Sequence, residues 1–170
     1  MVDTDNQPGI LIVDDQRNVR RVLSMALVDD YRVFTARNAK GALDTVRRGV
    51  MSVVLMDVLL PDADGVSLIQ KLKRMDPTLV VIMVTAVKDI QTAVRAIKAG
   101  AYEYVLKPFV VDEVRNVIRR ALEKHRLSRQ VACLRQELDR YRPFENMLGR
   151  NPKMREVFQM IAAVACSDGA

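Results

Sequence analysis

The chain has 170 residues, 49% hydrophobic and 28% charged, enough for one well-buried domain plus an appendage rather than two full domains. Its net charge of +6 sits mostly between Asp112 and Arg142, where nine Lys and Arg face five Asp and Glu; this reads as a solvated helix face, because no helix-turn-helix, zinc or aromatic-basic motif accompanies it and no nucleic-acid site is expected. The apolar runs are strand-sized, well short of the ~20 residues of a membrane span, the polar N-terminus carries no signal-peptide pattern, and Cys133 and Cys166 lack metal-ligand partners, so a reducing cytoplasm is the expected location.

Strand and helix patterns alternate five times. Gly9 to Val13 is a short continuous apolar run, the signature of a strand buried on both faces. Asn18 to Val28 places Val19, Val22, Leu23, Ala26 and Leu27 on one helical face. Tyr31 to Ala36 is a more polar strand, expected at the sheet edge. Ala39 to Arg48 is a helix with Ala39, Leu43 and Val46 inward, ended by Gly49. Met51 to Met56 is the third strand and runs into Asp57. Val66 to Met75 is a helix with Val66, Ile69 and Leu72 inward, closed by Asp76-Pro77. Leu79 to Val84 is the fourth strand, followed by Thr85. Ile90 to Ala99 is a helix stopped by Gly100, and Tyr102 to Leu106 is the fifth strand, ending at Lys107. Such alternation implies right-handed crossovers and a five-stranded, doubly wound parallel α/β sheet covered on both faces.

After Pro108 a helix is expected from near Val111, with Asp112 and Glu113 in its favourable first turn. Val114, Val117, Ile118, Ala121 and Leu122 suit packing on the sheet. Leu127, Val131, Leu134, Leu138 and Tyr141 then follow at gaps of 4, 3, 4 and 3, the heptad spacing of a coiled-coil seam. Pro143 is expected to break this helix. Pro152 precedes a further amphipathic stretch with Met154, Val157, Phe158, Ile161, Val164 and Ala165, too short to fold alone, and the end at Ser167 to Ala170 reads as truncation of a longer protein. The expected organisation is a domain over 9–122, a linker helix over 123–142 and a remnant over 143–170.

In an open parallel sheet, ligands sit beyond the carboxyl ends of the strands at the switch in strand order. Asp14 and Asp15 follow the first strand, Asp57 the third, Thr85 the fourth and Lys107 the fifth. Converging carboxylates repel one another unless a hard cation neutralises them, and Mg2+ suits an all-oxygen set. The first strand-to-helix turn, Asp14 to Asn18, contains no glycine, which argues against a dinucleotide site, and no phosphate-binding GxxxxGK[ST] loop is present. The single histidine, His125, reads as a structural residue on a helix surface.

These motifs resemble the receiver domain of two-component response regulators, which implies the flavodoxin-like form of the doubly wound sheet. The matching stretches are Ile10 to Asp15 (ILIVDD), Asp57 to Gly65 (DVLLPDADG), Thr85 to Asp89 (TAVKD) and Gly100 to Phe109 (GAYEYVLKPF). The resemblance implies that Asp57 is the phosphoacceptor, with a sensor histidine kinase as donor. It further implies that Asp15, Asp57 and the Leu59 backbone carbonyl bind Mg2+ directly, with Asp14 acting mainly through a metal-bound water. Thr85 would hydrogen-bond the phosphoryl group after reorienting, Lys107 would contact a phosphoryl oxygen, and Lys107-Pro108 would be cis. Tyr104 matches the aromatic position that rotates on activation. Gln16 departs from the pattern, since many receivers carry another acid there.

The stretch from Phe144 to Asp168 resembles the entry to the AAA+ ATPase domain of sigma-54-dependent activators of the nitrogen-regulation type. The resemblance implies a receiver that controls such an activator, and hence sigma-54 RNA polymerase; the heptad spacing further leads to the expectation of a homodimer joined through Leu127, Val131, Leu134, Leu138 and Tyr141. No ATPase site is expected in this chain, and it is read as a phosphoacceptor rather than an enzyme. Two rival readings belong to other classes. A Mg-dependent phosphatase acting through phospho-aspartate would usually carry an acid where Leu59 stands, and a receiver-like dimerisation module without phosphorylation would not need the complete acidic set.

Overall fold

The computed structural model describes residues 7–49 and 51–149, with side chains described as far as residue 138. The elements are β1 (Gly9–Val13), α1 (Arg17–Leu27), β2 (Arg32–Ala36), α2 (Ala39–Arg48), β3 (Val53–Met56), β4 (Leu59–Leu60), β5 (Ala63–Asp64), α3 (Gly65–Met75), β6 (Val80–Thr85), α4 (Ile90–Ala99), β7 (Glu103–Leu106) and α5 (Val111–Gly149). Five strands form one parallel sheet in the order β2-β1-β3-β6-β7, with polar β2 at an edge as expected. The β4–β5 hairpin is a separate antiparallel pair. It has no hydrophobic alternation of its own, and the sequence pattern does not reveal it.

Alternating side chains divide the core between the two faces of the sheet. Ile10, Ile12, Val53, Leu55, Val80, Ile82 and Val84 meet α1 and α5 through Leu23, Leu27, Val114, Val117, Ile118 and Ala121. Leu11, Val13, Val54, Met56, Val81 and Met83 meet α2, α3 and α4 through Ala42, Val66, Leu68, Ile69, Leu72 and Ala96. Each large buried side chain contributes about 1.5–3 kcal/mol, so the central strands carry much of the stability. Gly100 ends α4 with φ 106°, and its amide bonds the Ala96 and Ile97 carbonyls. That left-handed conformation is the reason for glycine there.

Three expectations need correction. Val22 is half exposed rather than inward, because only Leu23 and Leu27 of α1 reach the sheet fully. His125 is buried, not on the surface, and its Nδ1 lies 2.9 Å from the Thr78 carbonyl, which satisfies a ring that packing would otherwise strand. The helix does not stop at Pro143 but continues to Gly149. Proline removes one amide donor from a helix without obliging the turns beyond it to unwind.

The described chain divides into two units after Ser128. Within the first, α5 packs on the sheet as far as Ala121, with Leu122 partly covered. In the second, Val131, Leu134 and Leu138 are exposed, as is Leu127 just before the division. The Tyr141 side chain and residues 150–170, with the expected amphipathic stretch, lie outside the described residues. No helix among the described residues is long and apolar enough to cross a membrane.

Candidate functional site

Strand register sets the site. Val13 is opposite Met56, so Asp14 and Asp57 emerge side by side where β1 and β3 end, and the Asp57 amide extends the ladder to the Val13 carbonyl at 2.9 Å. This is the position where strand order reverses, between β1 and β3. Thr85 is opposite Leu106, and the Lys107 amide bonds the Thr85 carbonyl at 2.8 Å. The polar residues therefore stand where β1, β3, β6 and β7 end at one level.

Asp14, Asp15 and Asp57 each offer a carboxylate oxygen within 4.8 Å of the others. Asp14 and Asp57 are buried, whereas Asp15 is exposed. Lys107 Nζ lies 2.6 Å from Asp14 Oδ2 and 2.6 Å from Asp57 Oδ2. Burial pulls the Lys107 pKa down, but the hydrogen bonds and charges of Asp14 and Asp57 outweigh it and leave the amine above its ordinary value. One ammonium against three carboxylates leaves an excess of negative charge. The donor set is all oxygen and one member is open to solvent, which fits a hard divalent cation.

The remaining expected residues border this cluster. Thr85 is fully buried, and its Oγ1 accepts the Val87 amide at 3.3 Å, so it caps the loop after β6. Among the described residues it makes no hydrogen bond to Asp57. The Tyr104 hydroxyl donates to the Val87 carbonyl at 2.8 Å, and burial, followed by Asp57 and Asp89, raises its pKa and keeps it a donor. Leu59 donates its amide to Asp57 Oδ1 at 3.2 Å while its side chain is 67% exposed. The Lys107-Pro108 peptide is cis, as the resemblance implied.

Sequence reasoning missed one support of the site, Arg20, and gave no role to another, Gly65. Arg20 Nη1 donates to the Asp14 carbonyl at 2.6 Å and the Asp15 carbonyl at 2.9 Å, bracing the turn that carries both acids. A basic residue one to two turns into the helix after the acidic pair was the only signal available. Gly65 allows the chain to pass behind Asp57: a Cβ there would stand 2.3 Å from the Asp57 carbonyl oxygen and 2.9 Å from that of Val58. Its neighbour Asp64 caps α3 through the Val66 amide and pairs with Arg95 of α4 at 3.0 Å.

Comparison with known proteins agrees with this geometry. The family described as "Response regulator receiver domain" matches residues 10–119. Regulatory protein AtoC of Escherichia coli is 33% identical over 162 residues, covering 95% of this chain and 35% of AtoC. The DNA-binding transcriptional regulator NtrC of Azospirillum brasilense is 34% identical over 160 residues, covering 94% of this chain and 33% of NtrC. The chain thus spans about a third of the length of these relatives. The crystal structure of NtrX from Brucella abortus, in complex with ADP, is 32% identical with a TM-score of 0.72, over 95% of this chain and 35% of NtrX. Motifs, strand order, acidic cluster and similarity agree: the chain belongs to the response regulator receiver domain family, on the branch of the NtrC-type transcriptional regulators.

Proposed function

We propose that Asp57 accepts a phosphoryl group from a sensor histidine kinase in the presence of Mg2+, and that this controls a sigma-54-dependent activator of which the chain forms a part. The observation that carries the reading is the contact of Lys107 with both Asp14 and Asp57, inside a three-carboxylate cluster. Asp14, Asp15, Asp57 and the Leu59 carbonyl would hold the cation. A bound Mg2+ would neutralise the acids and draw charge from the phosphoryl oxygens. Asp57 then attacks phosphorus in line as the P–N bond of the donor phosphohistidine breaks, and Lys107 moves its charge onto a phosphoryl oxygen.

A groove of about 520 Å³ beside Lys107 supports a protein donor. Val19 and Val22 of α1 face Pro108 and Phe109 across it, and Met25 and Val28 extend the exposed apolar surface. Thr85 accepts the Val87 amide and Tyr104 donates to the Val87 carbonyl, so a turn of the Thr85 hydroxyl to donate to a phosphoryl oxygen would draw Oγ1 off that amide and release one side of the loop. The exposed Leu127, Val131, Leu134 and Leu138 support a parallel homodimer through the linker helix, which would deliver the signal to an AAA+ domain beginning near residue 143.

Acetyl phosphate with Mg2+ tests the acceptor. Intact-mass analysis should show one added phosphoryl group, and Asp57→Asn should abolish it. Equal labelling of the variant would refute the assignment.

A further inference from the structure

The hairpin after Asp57 is anchored at its tip by a side chain outside the acidic cluster. Pro61 and Asp62 form the turn between β4 and β5. From that turn Asp62 Oδ1 accepts the Ala39 amide at 2.8 Å, and Oδ2 accepts the Lys40 amide at 3.0 Å. Both amides belong to the first turn of α2, where a helix leaves its donors unpaired. The contacts span 23 and 22 residues, and the local cap is already supplied by Asn38, whose Oδ1 accepts the Gly41 amide at 2.9 Å. Asp62 is therefore a tertiary tie. A carboxylate on two amides at a helix N-terminus is favoured by both the hydrogen bonds and the helix dipole. The Lys40 and Ala39 amides hold its carboxyl below the usual carboxylate range.

The hairpin needs such a tie. Each of its strands is two residues long, too short to be stable as an isolated pair. Its base is closed by the Gly65 amide on the Val58 carbonyl at 2.7 Å, and Leu59 begins it with its amide on Asp57. The exposed Leu59 side chain adds little packing to fix the backbone that bears it.

We infer that Asp62 is a positioning residue for the phosphoacceptor site: by clamping the hairpin tip to the N-terminus of α2, it fixes the Leu59 backbone and with it the carbonyl that would bind the cation. This rests on the reading of that carbonyl as a Mg2+ ligand. It gives α2, which contributes no residue to the acidic cluster, a direct mechanical connection to the metal site.

The experiment compares Asp62→Ala and Asp62→Asn with Asn38→Ala in the full chain. Asn38→Ala removes a cap from the same helix without touching the hairpin. Mg2+ titration by calorimetry should show the Kd rising about tenfold for Asp62→Ala, the lower end for groups that orient metal ligands, and less for Asp62→Asn. Asn38→Ala should lose thermal stability yet keep the parent Kd. Amide exchange without metal should be faster between Leu59 and Asp64 in Asp62→Ala alone. An unchanged Kd in Asp62→Ala, or equal changes in Asp62→Ala and Asn38→Ala, overturns the inference. A parent that binds no Mg2+ refutes the metal reading instead, and exchange then decides: parent-like hairpin exchange in Asp62→Ala overturns the clamp.

Discussion

Replacing Lys107 with methionine isolates what the ammonium does before any cation or phosphoryl group arrives. The side chain keeps its length and apolar stem but loses the contacts to Asp14 and Asp57, both at 2.6 Å. The three side chains are 11%, 3% and 7% exposed, so the pairs belong to the buried class. Removing one partner of a buried pair costs about 3–5 kcal/mol, because the other charge is left uncompensated. Asp15 opens one side of the cluster to water, which favours the lower end, about 3 kcal/mol. For a receiver of this size that is a fall of roughly 10 °C in Tm. Urea and thermal denaturation followed by circular dichroism at neutral pH, in EDTA, would measure it. Mg2+ should restore more stability to the variant than to the parent, since the cation takes the place of the lost charge. The pH dependence has a definite sign. The Lys107 pKa is raised in the folded state, so its stabilisation is fully present below the unfolded value of about 10.4 and is lost only as pH climbs through the higher folded value. The deficit of the variant should therefore persist across neutral pH and fade only in alkali. A loss under about 1 kcal/mol in EDTA would refute the argument that Lys107 holds the acids together.

The phosphorylated protein should lose its label slowly, because Leu59 and Val87, the side chains best placed to orient an attacking water, are apolar; Leu59→Asn or Val87→Glu should change the rate, and loss within seconds in the parent would contradict this. Gly65→Ala should cost about 2–3 kcal/mol in urea denaturation, since its Cβ would meet two backbone oxygens that cannot rotate away; an unchanged midpoint would refute it. Leu134→Asp should weaken a linker dimer about a hundredfold or more, given about 1.5–3 kcal/mol for each of two buried leucines. Sedimentation velocity of parent and variant at one concentration checks it, and identical profiles would remove the linker as the interface.

The sequence by itself determined the α/β alternation and the residues of the acidic site. Fully buried strands must be continuous apolar runs, and Asp14, Asp57 and Thr85 stand at the ends of three of them, with Lys107 at the end of the edge strand β7. Once such strands lie parallel and in register, the polar ends can only meet at one edge. The heptad gaps from Leu127 read as a coiled-coil seam, and in the single chain Leu127, Val131, Leu134 and Leu138 are exposed. Tertiary structure alone decided the supports. The ties of Asp62 to Ala39 and Lys40 and of His125 to Thr78 join segments tens of residues apart, so no local pattern encodes them. The burial of His125 follows from α5 reaching Thr78 in the turn before β6, and the exposure of Val22 from the rotation of α1, which points the neighbouring Leu23 at the sheet. The need for glycine at position 65 arises from the approach of two backbone segments, a distance that exists only after folding.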